Sequence, residues 1–240
     1  MDGVKNWKTN VNTDKSIEVI ADSGESIEEQ RERAHKIIEE FRDMYPDAGC
    51  SLDYSDPLQL LIATQLAAQC TDARVNQVTK TLFKKYRNAH DFANADLAEL
   101  EEDIRPTGFF RNKAKNIKRC CRMIIDEFGG RVPDNMEDLL KLPGVGRKTA
   151  NIILGDIYGI PGIVVDTHAK RLAKRMGFTR HDDPYKVELD MMEVIPKEEW
   201  TRFCHQLVFH GRAVCTARNP KCHSCRINKY CNYGKMMLSK

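Results

Sequence analysis

Apolar positions in this 240-residue chain recur at helical spacing almost throughout, and no convincing alternating run of a half-buried strand appears. Ser26-Ile27-Glu28-Glu29 reads as a capping box, in which a serine hydroxyl and a glutamate three residues on satisfy each other's backbone amides. The helix it opens carries Ile37, Ile38 and Phe41 towards Pro46. Asp56-Pro57 offers a second N-cap with proline at the first helical position. Behind it, Leu58 to Cys70 is largely apolar on all sides, the pattern of a buried central helix. Its polar exceptions, Gln65 and Gln69, lie four apart and so share one face. Further helices are predicted at about 72–86, 95–103, 111–127, 134–141, 147–158, 167–176, 184–194 and 197–210. The chain is all-α, with no internal repeat and no low-complexity linker between its halves. Residues 1–25 are polar and read as a flexible extension.

A chain of this length buries a real core, in one large or two small domains. No stretch approaches the roughly 18 apolar residues of a bilayer-spanning helix, and no signal peptide is evident. A reducing compartment is expected, cytoplasmic and nucleoid-associated, or nuclear in a eukaryote. The nine cysteines then read as metal ligands and buried thiols rather than disulfides. The net charge of +3 conceals an asymmetry. Residues 1–40 carry ten acidic and six basic side chains, net −4, whereas residues 201–240 carry eight Lys or Arg and no Asp or Glu. Residues 105–125 add seven basic side chains and none acidic. Two concentrated positive segments on a nearly neutral chain form an electrostatic footprint for phosphate.

Four of the cysteines, Cys215, Cys222, Cys225 and Cys231, form the pattern C-x6-C-x2-C-x5-C. Thiolates packed this densely are good ligands for one centre, either Zn²⁺ or an iron–sulfur cluster. Structural zinc sites usually use two C-x2-C knuckles; a single compact loop with one C-x2-C suits a cubane better. Zinc remains the competing metal on spacing alone. Cys50, Cys70, Cys120, Cys121 and Cys204 are small core residues by the same reading.

Leu142-Pro143-Gly144-Val145-Gly146-Arg147-Lys148 lies between two predicted helices. Gly144 and Gly146 permit a tight turn with positive φ and the close approach of another backbone. Free amides at the start of the next helix, with Arg147 beside them, make an anion site suited to a DNA phosphate. Lys148 stands in the first turn of that helix, where the dipole disfavours an ammonium ion. This placement suits a nucleophile, although a phosphate-contacting lysine is equally natural there. Asp166 follows the apolar Ile163-Val164-Val165 and opens a helix as its N-cap. A carboxylate there is also placed to handle protons. His168 reads as a structural or backbone-contacting residue rather than a base.

With LPGVGRKTAN, VDTH and C-x6-C-x2-C-x5-C in this order, the chain resembles the endonuclease III family of helix–hairpin–helix DNA glycosylases. The similarity spans roughly residues 30 to 235. It implies a two-lobed all-α fold: a six-helix barrel at about 50–160, and a cluster domain from residues 26–49 and 161–240. It implies that Lys148 is the nucleophile, Asp166 its aspartate partner, and the four cysteines the ligands of a 4Fe–4S cluster. Gln69 matches a glutamine that fills the gap left by an everted base. Phe109 matches a wedge position where the family often has leucine. Arg212, Arg218, Lys221 and Arg226 become candidates for phosphate contacts. The expected partner is duplex DNA carrying damaged bases or abasic sites, met by a monomer without a membrane. The expected activity is excision of oxidised pyrimidines followed by β-elimination. The adenine-glycosylase branch, which typically lacks a lysine at position 148, and a non-catalytic DNA-binding module with a structural metal are the rival readings.

Overall fold

The computed structural model describes residues 24–239, and among them it holds twelve α-helices, four short 3₁₀ turns and no strand. The expected extension over residues 1–25 lies almost wholly outside the described residues; Glu25, its last residue, pairs with Arg33 at 2.6 Å. Helix α1 (Ile27–Met44) starts at the capping box: Glu29 N donates to Ser26 Oγ at 3.3 Å, and Ser26 N to Glu29 Oε2 at 2.8 Å.

The first core is built around α2 (Pro57–Leu66), in which every residue from Leu60 to Leu66 is buried. Around it lie α3 (Asp72–Lys85), α4 (Ala89–Asn94), α5 (Leu97–Asp103), α6 (Phe110–Phe128), α7 (Met136–Lys141) and α8 (Arg147–Asp156). Two expectations change here. Helix α2 stops at Leu66 instead of reaching Cys70, because the Leu66 carbonyl accepts the Lys113 ammonium at 2.7 Å rather than a continuing turn. Gln65 is therefore buried while Gln69 is exposed, and the two do not share a face. Helix α4, between two predicted helices, was not anticipated; Asn88 caps it and Phe92 buries fully.

The second core joins α1 to α9 (Thr167–Met176), α10 (Pro184–Val194), α11 (Trp200–Ala213) and α12 (Asn232–Leu238). The chain thus starts in one core, builds the other, and returns. Ile37, Ile38 and Phe41 of α1 are fully buried against the returning helices. Arg33, only 6% exposed, locks this closure by donating to the carbonyls of Met176 at 2.6 Å and Tyr230 at 3.1 Å. The architecture is all-α and two-lobed. The lobes meet at close quarters, since a Cβ on Gly155 would stand 2.6 Å from Thr201 Oγ1. Among the described residues no helix is long and apolar enough to cross a membrane.

Candidate functional site

The turn between α7 and α8 is anchored by Leu142 and Val145, both buried in the first core. Its two glycines have different reasons to exist. Gly144 has φ +80°, and a Cβ there would meet Gln65 Oε1 at 2.9 Å and Asn116 Cβ at 3.1 Å. Gly146 has an ordinary φ of −109°, and nothing stands within 4 Å of a Cβ. It is the N-cap of α8 and provides no side chain, so the first-turn amides have no side-chain cap. Arg147 is not a free cation beside them. Its guanidinium grips buried Glu188 at 2.6 and 3.1 Å and stacks over the Tyr185 ring at 4.8 Å.

Lys148, the second residue of α8, is exposed and has no hydrogen-bonded or ion-paired partner among the described residues. It lines a cavity of about 280 Å³ together with Asp166 and Gln69. Asp166 is the N-cap of α9, where its Oδ1 accepts the Ala169 amide at 2.7 Å. That bond fixes the carboxylate at the cavity wall and leaves the second oxygen unused by the cap. His168 lies two residues on, packed against Gly211 and 3.2 Å from Arg171, and burial pushes its pKa down. It belongs to the contact between α9 and α11, not to the cavity lining.

Two cavity features were not legible in the sequence. Asp72 is 2.8 Å from Arg212 and joins the two lobes across the mouth. Burial raises the pKa of Asp72, but the bonds from Ser51 and Arg212 and the nearby charges of Arg212 and Lys148 outweigh it, so the net shift is downward. His205, on α11, reaches Asp156 at 2.7 Å and lines the cavity. In sequence these are an acidic first-turn residue and a lone helical histidine, which carry no signal of their own.

Gln69 and Phe109 share an unusual backbone. Among the described residues they are the non-glycine positions with positive φ, at 55° and 48°. Such left-handed residues cost about 1–2 kcal/mol each and concentrate where function demands them. Phe109 is 65% exposed, an aromatic ring presented to solvent at the start of α6.

The four clustered cysteines line a second, much tighter cavity of about 20 Å³. No group of His, Cys, Asp or Glu among the described residues is gathered as a single metal ion requires. Four thiols spread around one void fit a multi-atom cluster better than one zinc ion. Buried Arg175 donates to Cys215 Sγ at 3.2 Å and to the carbonyls of Thr216 and Ala217, both at 2.8 Å. His210 stands 3.5 Å from Cys225 Sγ and 3.0 Å from the Tyr45 hydroxyl. Burial pushes the Cys225 thiol up to about 11 and the Cys231 thiol to about 12, so a cationic centre is needed to make them thiolates.

The basic residues of this lobe divide. Arg226 is held by Glu40 at 2.6 Å and Asp43 at 3.4 Å, which ties the cysteine loop to α1. Arg212 belongs to the cavity mouth. Arg218 and Lys221 are exposed, and Lys221 also donates to the Ala213 carbonyl at 3.2 Å.

A hairpin with an uncapped helix mouth, a lysine–aspartate cavity and a cysteine loop define a helix–hairpin–helix base excision repair protein. Residues 62–197 match the family model described as HhH-GPD superfamily base excision DNA repair protein, and residues 215–231 match the iron–sulfur binding domain of endonuclease III. The chain is 52% identical over 203 residues to Endonuclease III of Synechocystis sp., covering 84% of this chain and 93% of that protein. It is 46% identical over 199 residues to Endonuclease III of Bacillus subtilis, covering 82% and 91%. A solved trapped endonuclease III–DNA covalent intermediate superposes with a TM-score of 0.82 at 48% identity, covering 87% of this chain and 98% of that one. A thermostable thymine-DNA glycosylase, 24% identical with a TM-score of 0.77, shares the fold. The chain belongs to the endonuclease III family. It is a DNA repair glycosylase, and it carries a 4Fe–4S cluster.

Proposed function

We propose that the protein is a bifunctional glycosylase/AP lyase that removes oxidised pyrimidines from duplex DNA and nicks the resulting abasic site. The observation that carries this reading is the convergence of an unpartnered amine, Lys148, and an N-cap carboxylate, Asp166, on one cavity of about 280 Å³. That size is at the small end of ligand pockets and suits one everted nucleoside. A base inside the stack is out of reach, so eversion comes first, at a cost of a few kcal/mol that damage reduces. Gln69 fills the gap and Phe109 wedges the stack, both on strained turns at the protein surface.

Neutral Lys148 then attacks C1′ as the base leaves, forming a C–N bond as the glycosidic bond breaks. Asp166 accepts the lysine proton or stabilises positive charge on the sugar. Opening of the sugar ring at C1′–O4′ turns this adduct into a Schiff base, loss of its C2′ proton expels the 3′ phosphate, and water releases the enzyme. Amides at Gly146 and the exposed Arg218 and Lys221 hold phosphates and give position rather than base choice. Cys215, Cys222, Cys225 and Cys231 are the cluster ligands; bound there, the cluster supplies a rigid staple for the basic loop. The protein acts as a monomer on chromosomal DNA.

Borohydride should trap a covalent adduct on duplexes containing thymine glycol or an abasic site, and Lys148→Gln should abolish it. Excision of mispaired adenine without any adduct would move the chain to the adenine branch. Binding without excision or nicking would leave only a DNA-binding module.

A further inference from the structure

Lys113 is a buried ammonium, 7% exposed, in the first turns of α6. Its Nζ donates to the Leu66 carbonyl at 2.7 Å and to the Thr107 carbonyl at 2.8 Å. Both acceptors are the final residues of helical segments, α2 and the 3₁₀ turn Arg105–Thr107. Such carbonyls have no helical partner and lie at the negative end of the dipole, where a cation is favoured. Three residues beyond Leu66 stands Gln69; two beyond Thr107 stands Phe109. These are the two left-handed non-glycine residues among those described. The Lys113 backbone amide also donates to the Phe109 carbonyl at 3.1 Å. One residue therefore ends both segments that lead into the strained turns, and grips one turn directly.

We propose that Lys113 is a positioning residue that couples the Gln69 and Phe109 turns into a single rigid wedge, so that gap filling and stack opening occur as one event. This rests on the reading of Gln69 and Phe109 as the residues that enter the duplex. Two left-handed turns with independent supports would each relax towards ordinary φ values; a shared ammonium bridging their stems opposes both relaxations at once. Lys113 is not part of the lining of the Lys148 cavity, so its effect falls on opening the duplex and not on Schiff-base chemistry.

The test compares borohydride trapping of holoenzyme on two substrates. One carries an abasic site in intact duplex; the other carries it opposite a one-nucleotide gap, where nothing has to be displaced. Lys113→Met is expected to slow single-turnover trapping on intact duplex by about 10- to 100-fold, the range for misplaced groups remote from the chemistry, and to leave the gapped substrate unaffected. A 2-aminopurine beside the abasic site should lose its unstacking signal in the same variant. Visible absorbance and thermal melting confirm a folded, cluster-loaded protein. Should the methionine variant not fold, Lys113→Gln keeps a donor for one carbonyl and is expected to show the same substrate-selective loss. Equal loss on both substrates, or no loss on either, overturns the proposal. Absence of any adduct with wild-type protein would instead overturn the lysine-nucleophile reading.

Discussion

Alanine at Gly144 and alanine at Gly146 add the same methyl group two residues apart, and they are expected to fail in different ways. At Gly144 the φ of +80° is one that a residue with a Cβ adopts at a cost of about 1–2 kcal/mol. The new carbon would also stand 3.1 Å from Asn116 Cβ and 2.9 Å from Gln65 Oε1, whose side chain is 5% exposed. Overpacking of this kind adds about 1–3 kcal/mol, for a total of about 2–5. With about 2–4 °C per kcal/mol in a chain of this size, Tm should fall by about 4–20 °C.

At Gly146 the φ is ordinary and the space is empty. Alanine gains about 0.4–1 kcal/mol by restricting the unfolded chain and loses about as much as a poorer N-cap, so Tm should hardly move. The methyl group would occupy the mouth of the α8 amides, where a phosphate is proposed to sit. Losing charge-assisted bonds there costs about 1.5–3 kcal/mol, or about 10- to 100-fold in Kd. Thermal melts and fluorescence anisotropy with an abasic-analogue duplex, at one fixed salt concentration, separate the two effects. Wild-type affinity in Gly146→Ala would refute the amide site; a matching fall in Tm for both variants would refute the distinction between the glycines.

Arg33→Met should destabilise the fold by about 3–5 kcal/mol, the usual cost of breaking a buried pair, because it strands Glu25 and the carbonyls of Met176 and Tyr230; chemical denaturation measures this. Asp72 is held below its ordinary pKa, so its contribution is complete above the unfolded value near 3.8 and disappears as pH falls through the lower folded value. Asp72→Asn should melt below wild type at neutral pH, by about 1 kcal/mol or less for so exposed a pair, and the gap should close in acid. Cys222→Ser should abolish the brown iron–sulfur absorption and lower bound iron and sulfide; full occupancy in that variant would remove Cys222 from the ligand set.

Motifs whose meaning is local were legible, and features made by two distant segments were not. The capping box at Ser26, the N-caps at Asp56 and Asp166, and helices Thr167–Met176 and Pro184–Val194 each follow from side chains within a few residues. The end of α2 does not, since it depends on an ammonium that arrives from Lys113, 47 residues later. The short helices α4 and α12 escaped, whereas α5 and α7, also of six or seven residues, were anticipated. Likewise Arg147 and Arg226 look in sequence like free cations on phosphate-binding segments. Only the fold shows Glu188, Glu40 and Asp43 arriving to occupy them.

The relation between the two cavities follows from the helices they share. Helix α9 begins at Asp166 on the wall of the lysine cavity and ends beside Arg175, which holds Cys215 and the carbonyls of its loop. Its ten residues span about 15 Å. Helix α11 repeats the connection: His205 and Arg212 line the lysine cavity, and the chain passes from Ala213 directly into Cys215. Two of the elements that place side chains around Lys148 are therefore anchored at the rim of the cysteine cavity. A cluster there need take no part in the reaction to matter for it. On the proposed reading, a cluster that fixes the far ends of α9 and α11 would hold Asp166 in place on the wall of the lysine cavity, and loosening it would be felt there through two rigid rods.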